Sequence, residues 1–141
     1  MKEELDRKLV EDFPILYKDR RKSMTETAMC WGFECGDGWE PLIRELSKKI
    51  EEYNNTSYDL PTVAIQVKEK FGSLRFYINY GPRWIHDLLD EYEDKSEETC
   101  ETCGRPGQLC ERGTWVKTLC EDHRTMYEYL VCEEEKNGSQ L

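Results

Sequence analysis

TVAIQVKEKFGSLRFYINY, residues 62–80, is the stretch that decides the fold. Val63, Ile65 and Val67 alternate with Ala64, Gln66 and Lys68. Beyond Phe71-Gly72, Leu74, Phe76 and Ile78 alternate with Arg75, Tyr77 and Asn79. A period of two on both sides of a glycine-containing turn predicts a β-hairpin with one Val/Ile/Leu/Phe face and one polar face. A two-stranded ribbon is marginal in water, so this hairpin needs a third strand, sought in residues 28–35, or a dimer partner.

The apolar face also needs a cover. Immediately upstream, EPLIRELSKKIEEY places Leu42, Ile43, Leu46, Ile50 and Tyr53 at helical spacing, with Pro41 in the first turn. Downstream, Gly81-Pro82 turns the chain into a second helix, in which Trp84, Ile85, Leu88, Leu89 and Tyr92 oppose Asp87, Asp90, Glu91 and Glu93. Residues 3–13 form a third, with Leu5, Leu9 and Phe13 in line and Pro14 ending it. The fold class is therefore α+β: a small antiparallel sheet built on hairpin 62–80 and packed by amphipathic helices. Between the helix of residues 3–13 and the EPLIRELSKKIEEY helix, the basic run Lys18, Arg20, Arg21, Lys22 reads as a solvated loop. CWGFECGDGW, residues 30–39, reads as a tight loop pinned by aromatics, with Asp37-Gly38 a strong turn dipeptide.

The remaining organised stretch is TCETCGRPGQLCERGTWVKTLCEDH, residues 99–123. Cys100 and Cys103 form a C-x2-C pair, sixteen residues follow, and Cys120 and His123 close a C-x2-H pair. Two knuckles, each offering two ligands at about 2.3 Å (sulfur) or about 2.0 Å (nitrogen) from one tetrahedral ion, describe a Zn2+ site. Cys110 lies between the pairs and could replace His123 as the fourth ligand. Four protein ligands fill the tetrahedron, so the zinc is expected to be structural, supplying folding free energy to a lobe with few large apolar residues. The expected organisation is an α+β body over 1–98, a zinc-ribbon-like lobe over 99–132 packed on it, and a flexible acidic tail over 133–141. After His123, Tyr127, Leu130 and Val131 suggest a short helix returning to the body.

The 141 residues carry 30 acidic and 20 basic side chains, a net charge of −10, which disfavours bulk binding of DNA or RNA. The charge is uneven. Asp87 to Glu101 holds eight acidic residues against Lys95, whereas Thr62 to Tyr80 holds Lys68, Lys70 and Arg75 against Glu69 alone. An anionic ligand would choose the second region. No apolar run approaches the length of a membrane span or a secretory signal. Seven cysteines, an odd number with four in a metal pattern, argue against a secreted disulfide framework and for a reducing cytoplasm. Signatures of phosphate loops, dinucleotide folds, serine hydrolases, zinc proteases and zinc deaminases are missing, and with two histidines a nucleophile system would have to use His86. A non-enzymatic protein is expected.

CGDGW followed by an amphipathic helix, then QVKEKFGSLRFY, then C-x2-C-G, a Trp-containing turn and KTLC-x2-H, resembles a family of small uncharacterised proteins encoded by tailed phages and prophages. The likeness covers roughly residues 30–123. It rests on Cys35, Gly36, Asp37, Gly38 and Trp39, on Lys68, Lys70, Phe71, Gly72, Leu74, Arg75, Phe76 and Tyr77, and on the Cys/His set. The resemblance carries no established activity. It implies expression in the cytoplasm of a bacterial host, as an accessory protein that binds or sequesters a host factor, with an anti-defence role in view. The expected binding face is Gln66, Lys68, Arg75 and Tyr77, bordered by Asp37 and Trp39, holding an anionic nucleotide-like ligand. Arg75 would fork onto phosphate, Lys68 would add charge, and Tyr77 or Trp39 would stack on a base. Alternatives are a zinc-ribbon regulator that binds nucleic acid and an acidic inhibitor that mimics DNA. Homo-oligomerisation stays open.

Overall fold

Pairing in the hairpin runs from Ala64 opposite Ile78 to Lys70 opposite Ser73, so β2 (Ala64–Lys70) and β3 (Ser73–Ile78) are closed by the two-residue turn Phe71-Gly72. The computed structural model describes residues 1–132; the tail expected over 133–141 lies outside the described residues. The expected alternation breaks once. The register shifts between Ala64 and Gln66, a bulge that leaves Ile65 37% exposed and buries Val63 and Ala64 side by side. Beyond the bulge, Val67, Leu74 and Phe76 form the buried face.

The third strand does come from residues 28–35, as β1 (Phe33–Glu34), but it runs parallel to β2, with Phe33 opposite Val67. The sheet, ordered β1-β2-β3, is therefore mixed and not wholly antiparallel. The cause is the connection. Between β1 and β2 lies α2 (Glu40–Thr56), and a crossover through a helix returns the chain in the same direction, which a tight turn cannot do. The Ile43, Leu46 and Ile50 side chains of α2 are fully buried in the core that also holds Val67, Leu74 and Phe76 of the sheet, each worth about 1.5–3 kcal/mol of apolar burial.

Helix α1 (Glu3–Asp12) contributes Leu9 to this core, and α3 (Arg83–Ser96) contributes Ile85 and Tyr92. One buried carboxylate ties the layers together. Glu51 of α2 accepts the backbone N–H groups of Ile15 and Leu16 at 3.0 and 2.9 Å, satisfying donors in the turn after α1.

A second, smaller core gathers Cys100, Cys110, Leu119, Cys120 and Tyr129. Around it, β4 (Gln108–Arg112), β5 (Trp115–Leu119) and β6 (Leu130–Val131) form an antiparallel sheet ordered β5-β4-β6, with α4 (Glu121–Met126) between its last two strands. The helix expected to run through Tyr127, Leu130 and Val131 stops at Met126. Glu128 takes a φ of 61°, reversing the chain so that Leu130 and Val131 pair with β4. Leu130 is 71% exposed, so its apolar character does not report packing on the body.

Candidate metal centre and hairpin face

Cys100 and Cys103 sit in a turn before β4, drawn tight by Gly104 N–H donating to Cys100 O (2.9 Å) and Cys100 N–H donating to Arg105 O (2.8 Å). Gly104 occupies the left-handed region, φ 83°, that this turn requires. The second pair is not a matching knuckle. Cys120 is the residue capping α4 and His123 lies in the helix's first turn, so a spacing of three places both on one helical face. Local sequence thus delivers two ligands from a loop and two from a helix start.

The four ligand atoms all lie within 4.8 Å of one another. Cys103 Sγ and Cys120 Sγ are 3.7 Å apart, and His123 Nδ1 lies 3.7 Å from Cys100 Sγ and 3.2 Å from Cys120 Sγ. The edges of a tetrahedron with zinc bond lengths are about 3.8 Å between sulfurs and about 3.6 Å between sulfur and nitrogen. The set fits one small tetrahedral ion. Cys110 is not part of it: its buried thiol donates to Gln108 O at 3.2 Å. His123, stacked on Tyr127 with ring centroids 5.8 Å apart, completes the group of four that could hold a metal ion.

Arg105 supports the sulfurs, its Nε 3.3 Å from Cys103 Sγ and its Nη2 3.4 Å from Cys120 Sγ, while Asp122 pairs with it at 3.1 Å. Burial works to raise the Cys103 thiol, but hydrogen bonds from the Arg105 side chain and backbone outweigh it and bring it down to about 6. Burial pushes the Cys100 thiol up, and a bound cation would supply the charge that ionises it.

The loop CGDGW is the socket for this lobe. Gly38 N–H donates to Glu101 O (2.7 Å), Gly36 N–H to Glu101 Oε2 (2.8 Å), and the Trp39 indole N–H to Thr99 O (2.8 Å). The turn of the β2–β3 hairpin makes the second attachment, where Thr118 Oγ1 donates to Gly72 O at 2.7 Å. Lys117 bridges the two, at 2.9 Å from Glu69 and 3.3 Å from Glu101. Although burial pulls the Lys117 ammonium down, the two carboxylates more than offset it and hold it above its ordinary value.

The expected ligand residues are only partly brought together. Gln66 faces Tyr77 and Lys68 faces Arg75 across the strands. Gln66, Lys68 and Tyr77 line a groove of about 500 Å³ that also carries Asp19 and Glu26. Arg75 does not line it: Glu93 of α3 holds its Nη1 at 3.5 Å. Asp37 is engaged elsewhere, accepting the Lys2 N–H at 2.7 Å. Trp39, expected as a stacking surface, is fully buried and bonded to Thr99, so it cannot be offered to a ligand. The bulge at Ile65 and the carboxylates of Asp19 and Glu26 on the groove leave no signal in a period of two, because each depends on the fold around it.

Compared with family models, curated proteins and solved structures, the chain matches none of them. Among the described residues, no helix is long and apolar enough to cross a membrane.

Proposed function

We propose that the protein is a zinc-stabilised accessory protein of the phage type that its sequence resembles, acting in a bacterial host by binding and sequestering a host factor, and not by catalysis. The observation that carries this reading is the ligand set: Cys100, Cys103, Cys120 and His123 gather their ligand atoms within 4.8 Å of one another, and a tetrahedral ion held by all four would keep no coordination position for water or substrate. Three sulfurs and one imidazole favour zinc over harder cations. The metal's part is to tie knuckle, hairpin and helix into one lobe.

The groove of Gln66, Lys68 and Tyr77 is the proposed ligand seat. Lys68 supplies the cation for an anionic group and Tyr77, 41% exposed, a surface for stacking. Glu26 narrows the choice to ligands that bring donors as well as negative charge, as a nucleotide does with its base amino groups, while Asp19 is paired with Lys22 at 3.0 Å. A thermal-shift panel of cyclic and linear nucleotides tests this: stabilisation lost in Lys68→Ala supports it, and no stabilisation by any member refutes the seat. Native mass spectrometry tests the metal separately. One zinc per chain is expected, retained in Cys110→Ser and lost in Cys120→Ser.

A further inference from the structure

We infer that the notch between the tips of the two hairpins docks a protein partner, receiving an apolar anchor side chain flanked by a carboxylate. The notch, of about 420 Å³, is lined by Glu69, Lys70, Phe71, Thr114, Trp115 and Val116. It stands apart from the groove on the sheet face and does not depend on that reading.

Phe71 is the first pointer. Its φ of 54° lies in the left-handed region, where a bulky side chain is an outlier, and it fills the first central position of a two-residue turn that suits Asn, Asp or Gly. Core packing does not compensate, because the ring is 66% exposed. The turn is also fixed from behind: Gly72 O accepts from Thr118, and a Cβ on Gly72 would meet Leu109 at 2.7 Å and Val116 at 3.1 Å. The lobe therefore holds Phe71 outward in a strained conformation, a combination that belongs to working surfaces.

Trp115 is the second. It opens β5 on the other wall of the notch and is also 66% exposed. Two large aromatics around a concavity are the composition of a binding hot spot. Charge selects the partner. Glu69 is engaged by Lys117, which it shares with Glu101, and by the Gly72 N–H, whereas Lys70 lies over the Phe71 ring at 5.6 Å with no carboxylate paired to it among the described residues. One open cation beside two aromatics suits an apolar residue next to Asp or Glu. A nucleic acid would need more cations than this, on a chain whose net charge is −10.

The test uses the full chain with its metal, labelled for amide NMR. Three probes are titrated: synthetic peptides with one Leu or Phe between acidic residues, the same peptides with Lys in place of the acids, and single-stranded oligothymidine. The acidic series is expected to shift Lys70, Phe71, Trp115 and Val116, with the Lys series weaker. Phe71→Asn and Trp115→Ala should each weaken binding by about tenfold or more. Phe71→Asn should keep or raise the Tm, since Asn accepts the turn conformation. The inference is overturned if no acidic peptide moves these resonances, if oligothymidine moves them more strongly, or if Phe71→Asn lowers the Tm as a core truncation does.

Discussion

A single methyl group on Gly38 would undo the attachment of the lobe. Its Cβ would meet the backbone of Cys100 and would come within 2.6 Å of Glu101 O and Gly104 N, all main-chain atoms of the metal knuckle that cannot swing aside. Gly38→Ala is therefore expected to cost about 2–4 kcal/mol in urea unfolding, on the scale of overpacking with loss of a buried hydrogen bond. Cys35, in the same loop, gives a pH signature. Burial pushes its thiol from 9.0 up to about 12. Between those values the unfolded thiol ionises while the folded one stays neutral, so the folded chain holds more protons and stability falls as pH rises. Below pH 9 this contribution is fully present. Relative to Cys35→Ala, the parent chain should lose up to about 1.4 kcal/mol more per pH unit above that point. Equal slopes would mean that the thiol is not buried as described.

Within the sheet, the bulge makes a testable separation between two residues that a period of two treats alike. Ile65 is 37% exposed, whereas Leu74 is 1% exposed. Ile65→Thr should change unfolding free energy by no more than about 0.5 kcal/mol, and Leu74→Ala should cost about 2–5 kcal/mol. Comparable losses would restore the regular register. The elements themselves were legible in the sequence because each rests on a local signal: the Leu/Ile stripe of α2, the Pro14 and Gly81-Pro82 breaks, and the alternation of β3. The direction of β1 was not legible from the hairpin pattern, since it follows from the crossover through α2. The end of α4 was also hidden. Leu130 and Val131 are apolar at helical spacing from Tyr127, yet their place is fixed by pairing with Glu111 and Cys110, on a strand that α4 and β5 separate from them in the chain.

Across the whole molecule, the CGDGW loop, expected to border the binding face, and the turn of the β2–β3 hairpin both attach to the lobe. CGDGW supplies Gly36, Gly38 and Trp39 to Thr99 and Glu101, and the FGS turn supplies Gly72 to Thr118. The Cys/His group could be read from its spacing because a tetrahedral ion demands two such pairs. The socket could not, because glycine-to-backbone contacts leave no periodic trace. Two buried cores, one on each side of the segment between Tyr92 and Cys100, meet through these polar contacts. A metal held by the Cys/His set would thereby support the body as well as its own lobe. Hydrogen exchange before and after chelation measures that claim directly. Removing the metal should release the protected amides of Gly36, Gly38 and Cys100 together, while Leu46 and Ile50 of α2 keep their protection. Unchanged protection at Gly36 and Gly38 in the stripped protein would contradict it.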